Sequence, residues 1–137
     1  MYKRILVAID NSSRSDRVLE TVESLARLTG AAVDVLHAEE SHVVYDTVVK
    51  VEDDDDAQAV VDRAVTRLTE AGVQAKGHVV EALSGQVPDV ILNRAREAGS
   101  DLVVLGPRHH SRIGVLLGGS VSGEVALHTP ISVLLVV

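Results

Sequence analysis

The chain has 137 residues, enough for one ordinary domain with a buried core and too few for two. It contains no cysteine, which excludes disulfides, thiolate metal sites and cysteine nucleophiles. A net charge of −7 and only two aromatic residues, Tyr2 and Tyr45, argue against duplex nucleic acid and against base stacking on a single strand as the main business of the protein.

The first residues, MYKRILVAID, pass directly into a nearly continuous apolar stretch from Lys3 to Asp10, the pattern of a strand covered on both faces. Ser13 followed by Asp16 has the form of a capping box, opening a helix with Val18, Val22, Leu25 and Ala26 on one face and Gly30 at its end. A second strand is expected from Val33 to Ala38, interrupted only by Asp34. From Glu39 to Glu52 no period stands out, but HVVYDTVVKV has enough β-branched residues for a short strand or a packed loop.

Asp53 to Asp56 begin a second helix, with Val61, Ala64, Val65 and Leu68 as its apolar stripe and Gly72 beyond its end. The four aspartates read either as a cation site or as a solvated first turn complementing the helix dipole, and the latter is the simpler account. Val73 to Val80 alternates loosely, as a strand near a sheet edge would. Pro88 suits the first turn of a third helix, lined by Ile91, Ala95 and Ala98 and stopped by Gly99. Leu102 to Leu105 is a fourth strand, followed by a glycine-rich loop, a short helix from Ser120 to His128, and a closing strand from Ile131 to Val137. The longest apolar run, ISVLLVV, is far short of the about 20 residues that span a bilayer, so the expectation is a soluble cytoplasmic protein with no membrane partner.

This alternation of strand and helix predicts an α/β fold over residues 1–137: a single doubly wound domain whose open five-stranded parallel sheet, in the order 3-2-1-4-5, has helices on both faces. Such sheets bind ligands beyond the carboxyl ends of the strands where the order reverses, here between the first and fourth strands. Two segments arrive there, AID ending at Asp10 and VVLG ending at Gly106. Asp10 would accept from ribose hydroxyls or help hold Mg²⁺, or simply form the turn that starts the first helix. GGSVSGE is not a Walker loop, since no lysine follows its glycines, and Ser120 and Ser122 lack the G-x-S-x-G elbow of a hydrolase. The six histidines show no zinc spacing.

KRILVAIDNSSRSDRVLE, ILNRAREAGSDLVVLG and LLGGSVSGEVALHTPISVLLVV together resemble the universal stress protein family along essentially the whole chain. One branch of that family binds ATP through Gly-x2-Gly-x9-Gly-Ser/Thr. The spacing survives as Gly106, Pro107, Arg108, His109, nine residues, then Gly119 and Ser120, with His109 where the motif has its second glycine. The resemblance implies that Ala8, Ile9 and Asp10 face the adenosine and that Ala38 offers backbone contacts to the adenine. It further implies that Leu105, Gly106 and position 109 lie close to the ribose and phosphates, and that Gly119, Ser120 and Val121 cradle phosphate at a helix start, where small residues leave N–H groups open to an anion. The imidazole of His109 either fills the phosphate position or, with Arg108, His110 and Arg112, holds the phosphate.

The resulting expectation is a stress-response or signalling module that binds ATP, with Mg²⁺ through Asp10, and has at most weak ATP hydrolysis. The alternative is a dimeric stress protein that has lost nucleotide binding and acts as an interaction module. Either way, the apolar edge strand from Ile131 to Val137 implies a homodimer.

Overall fold

The computed structural model describes residues 1–50, 53–83, 85–106 and 130–137. Its elements are β1 (Arg4–Ala8), α1 (Arg14–Thr29), β2 (Ala32–Val44), β3 (Thr47–Lys50), α2 (Asp54–Glu70), β4 (Ala75–Leu83), α3 (Val87–Ala98), β5 (Leu102–Leu105) and β6 (Ser132–Leu135). Five strands are parallel in the spatial order β4-β2-β1-β5-β6, which is the expected doubly wound order. The sixth, β3, departs from it: it pairs antiparallel with the far end of β2, so the sheet is mixed. The helix expected from Ser120 to His128 lies outside the described residues.

β1 is the spine. It pairs with β2 on one side and β5 on the other, with Ala8 opposite both Leu36 and Leu105. Ile5, Leu6 and Val7 are fully buried, because alternate side chains enter two separate cores. One core joins Ile5, Val7, Val33, Val35 and Val104 to α1 and α2; the other joins Leu6, Leu36 and Val103 to Ile91, Leu92 and Ala95 of α3. Burial of Ile91 and Leu92 stabilises the fold by about 2 kcal/mol each. α1 and α3 end where the sequence said, at Gly30 and Gly99, whose φ values of 74° and 67° favour a residue without Cβ.

Three local expectations are corrected. The Ser13–Asp16 capping box does not form: Ser13 has helical dihedrals and its side chain makes no capping bond. β2 runs well past Ala38, and the segment without a clear period becomes a hairpin whose two turn residues, Tyr45 and Asp46, have φ of 49° and 63°. That is the backbone a two-residue hairpin demands, although asparagine and glycine usually supply it. The fourth strand in sequence, β4, starts and ends later than expected and follows β2 up to Leu83 opposite Ser41.

The interruption at Asp34 also has a cause. Asp34 is buried on the α3 face of β2, 4.0 Å from Arg4 Nη2 and 3.8 Å from His78 Nε2. Arg94 Nη2 donates to that same Nε2 at 2.5 Å, so His78 accepts there. Burial, and then the Arg94 charge, hold the His78 pKa below the usual histidine value.

At the start of β5, Asp101 ties two strands together by accepting from the backbone N–H of Lys3 at 2.8 Å and of Arg4 at 3.1 Å. Burial pushes its pKa upward, but these two N–H donors, its own N–H and the N-terminal charge together leave the carboxyl below its ordinary value. A depressed carboxyl stabilises the fold above the unfolded-state value and loses that contribution as pH falls through the folded-state value. Asp101→Asn is therefore expected to cost about 1 kcal/mol in urea unfolding at pH 7, with the difference from the parent narrowing as pH falls below the ordinary carboxylate range. A pH-independent difference would show that the charge is not what matters.

Candidate functional site

Beyond Ala8 the chain leaves β1 and turns into α1, and side chains hold that turn in place. The N–H of Ser12 donates to Asp10 Oδ1 at 2.8 Å, closing an Asx-turn. Ser15 Oγ accepts from Asp10 N at 3.1 Å. Its single proton is within reach of the Asp10 carbonyl oxygen at 2.8 Å and of Oδ1 at 3.1 Å. Ser15, not singled out in the sequence, thus braces the turn ahead of α1 through Asp10, which is different work from the helical N–H cap expected of Ser13. Its signal was the spacing of a serine five residues after an aspartate at a strand end, which periodicity does not detect.

Ile9 is fixed just as firmly. Its N–H donates to Leu36 O at 2.9 Å, and its carbonyl accepts from His37 Nδ1 at 2.8 Å. A carbonyl only accepts, so this bond puts the proton on Nδ1. His37, in the middle of β2, is only 4% exposed. The imidazole locks the end of β1 to β2 from within the sheet.

The remaining expected residues on described elements gather at the same end. Ala8 and Ala38 are partly buried against the α3-side core, which includes Leu105. Gly106 follows Leu105, whose carbonyl accepts from Val136 N at 2.8 Å. A Cβ at Gly106 would stand 2.9 Å from Val18 Cγ2 on α1, so any side chain there would have to displace Val18. The glycine that the motif assigns to a ligand is thus also favoured by packing. Arg108, His109, Gly119, Ser120 and Val121 lie outside the described residues.

A cavity of about 230 Å³ opens on the α1–α2 side of this turn, lined in part by Ile9, Asp10, Ser12, Ser15, Arg63 and Arg67. It is below the range of about 300–1,000 Å³ of small-molecule pockets, too small on its own for a nucleotide-sized ligand. Arg67 is engaged at its wall, with Nε donating to Glu23 Oε2 at 3.2 Å. Sequence reasoning missed both arginines. They stand one helical turn apart on α2, a spacing that becomes meaningful only once α2 is packed beside α1.

Parallel order, the buried first strand, and a turn organised by Asp10 at the point of reversal define a doubly wound α/β domain. The chain belongs to the universal stress protein family, whose model matches residues 1–137. Universal stress protein A homolog 1 of Coxiella burnetii is 31% identical, covering 85% of this chain and 84% of that protein. The universal stress protein from Archaeoglobus fulgidus solved in complex with dAMP is 27% identical, with a TM-score of 0.71 and coverage of 98% of this chain and 97% of that one. A universal stress protein solved in complex with cAMP superposes with a TM-score of 0.79 at 24% identity, covering 98% and 96% of the two chains.

The close pass at Gly106 gives a direct test. Gly106→Ala is expected to destabilise the fold by about 1–3 kcal/mol in chemical denaturation, and Val18→Ala in the same chain is expected to recover part of that loss. Strictly additive effects of the two changes would contradict the contact. Ser15→Ala is expected to cost about 1 kcal/mol, while Ser13→Ala costs little, the reverse of a capping-box ranking.

Proposed function

We propose that this protein binds an adenine nucleotide at the carboxyl edge of its sheet, between β1 and β5, and acts as a stress-response or signalling module through occupancy of that site. The observation that carries the reading is the meeting there of the Ile9–Asp10 turn, Ala38 and the Leu105–Gly106 segment, which belong to three neighbouring strands. The dAMP complex of the A. fulgidus relative supports it. So does the motif spacing from Gly106 to Gly119 and Ser120. ATP is the nucleotide that this spacing favours.

In this reading Asp10 accepts from the ribose, and the backbone N–H groups of Gly119, Ser120 and Val121 would donate to phosphate. Arg108 and His109 add side-chain donors to the phosphates in place of the missing glycine. Mg²⁺ would be held by the Asp10 carboxylate, a hard oxygen ligand, with phosphate oxygens and water completing its shell; it would supply charge neutralisation of the phosphates. Asp10 fits this duty only in part, since Oδ1 is already committed to Ser12 and Ser15.

The second reading, a stress protein that has lost its nucleotide, rests on one residue, His109 in the glycine position. Association into a homodimer through the Ile131–Val137 edge fits both readings. β6 pairs with β5, and Leu135 and Val137 at this edge are exposed.

Calorimetric titration of the purified protein with ATP and AMP, with and without Mg²⁺, separates the readings. The proposal expects saturable binding that falls at least about tenfold in Asp10→Ala, the scale of one lost charged hydrogen bond. His109→Gly loses affinity if the imidazole holds phosphate and gains it if the imidazole crowds the pocket. No binding by the parent or by His109→Gly overturns the nucleotide reading.

A further inference from the structure

On the α2 side of the sheet, at the root of the β2–β3 hairpin, three carboxylates from three elements come together. Glu39 of β2 and Glu81 of β4 are direct register partners, so two like charges face each other across a parallel pair. Asp54, in the first turn of α2, completes the group, and one oxygen from each of the three lies within 4.8 Å of the others. The sequence favoured a solvated helix start over a cation site for the four aspartates. The structure separates them: Asp53 caps α2 by accepting from Asp55 N at 3.1 Å, while Asp54 joins Glu39 and Glu81.

A cluster of acids on the surface is ordinary, but this one has a buried member. Glu39 is only 2% exposed, and its Oε1 makes no hydrogen bond among the described residues. That oxygen stands 3.6 Å from Lys50 Nζ. The same ammonium donates to Asp54 Oδ1 at 2.5 Å and to Glu81 Oε1 at 3.3 Å. One positive charge therefore stands among three carboxylates, and it reaches them on the end of a flexible side chain from β3. Asp54 and Glu81 remain largely exposed, so the group is open to solvent on one side.

We propose that Glu39, Asp54 and Glu81 form a divalent-cation site of calcium type, in which the Lys50 ammonium takes the place of the ion when none is bound. Three carboxylates are the hard oxygen donors that Ca²⁺ takes. Ca²⁺ accepts irregular geometry, which suits ligands held by three separate elements, whereas Mg²⁺ demands a near-ideal octahedron. Lys50 then swings out to solvent, and the ion links β2, β4 and α2 below the hairpin. The site is separate from the nucleotide reading and does not depend on it.

The test uses chelator-treated protein without nucleotide, titrated with CaCl₂ by calorimetry and followed by thermal unfolding. The site is expected to bind one Ca²⁺ with Kd between about 10⁻⁵ and 10⁻³ M and to raise Tm. Glu39→Gln and Glu81→Gln are each expected to weaken binding at least about tenfold, and Glu81, being exposed, keeps the test informative if the Glu39 change impairs folding. Lys50→Met removes the competing ammonium. It is expected to lower Tm in chelator, to bind Ca²⁺ more tightly than the parent, and to regain the lost Tm when Ca²⁺ is added. No binding heat and no Tm shift at about 10 mM CaCl₂ overturns the proposal, that level being well above the weakest protein calcium sites. Binding that is unchanged in Glu81→Gln, or a Lys50→Met loss that Ca²⁺ does not restore, overturns it equally and leaves Lys50 as a purely structural ion pair.

Discussion

Everything in this molecule depends on β1 being hydrogen-bonded on both edges and covered on both faces. Its register with β2 and β5 places Ala8 opposite Leu36 and Leu105, so the chain must leave the sheet at Ile9 and Asp10, between two strands running the same way. Parallel neighbours require crossovers on opposite faces at this point, and those crossovers open the crevice where ligands of such sheets bind. The site is a consequence of strand order before any side chain is considered. Side chains then make it rigid: His37 holds the Ile9 carbonyl, and Ser15 with the Ser12 N–H holds Asp10.

That rigidity bears on function. A polar residue at the switch point can serve a ligand only if its own turn keeps it oriented, and Asp10 is oriented by bonds within five residues of chain. Gly106 faces a similar double demand, since contact with Val18 disfavours a side chain whether or not a phosphate lies nearby. A glycine in a ligand motif is therefore weaker evidence for a ligand than the motif alone implies. The nucleotide reading rests more firmly on the meeting of segments from three neighbouring strands, together with the dAMP complex of the A. fulgidus relative.

The sheet was legible in the sequence because its signals are local. The run from Lys3 to Asp10 has the apolar continuity of a strand buried on both faces, and Gly30, Pro88 and Gly99 mark helix ends by backbone chemistry. Much of the candidate site was not legible, because its partners are distant in sequence or compete locally. Ser13 and Ser15 both follow Asp10 at plausible distances, and only the path of the turn decides between them. The hairpin escaped because Tyr45 and Asp46 adopt positive φ without the residues that normally announce it. Asp34 looked like a flaw in β2 until Arg4, His78 and Arg94 arrived from three other elements. Asp54 looked like one of four equivalent aspartates until Glu39 and Glu81 met it.

The central claim is that an adenine nucleotide occupies the carboxyl edge between β1 and β5. Assigned amide spectra recorded during titration with AMP test it most directly. The account predicts saturable shifts concentrated at Ile9 to Ser12, at Ala38 and at Leu105–Gly106, with little change at the opposite end of the sheet near Asp101. Saturation without shifts at these residues, or shifts centred elsewhere, would contradict it.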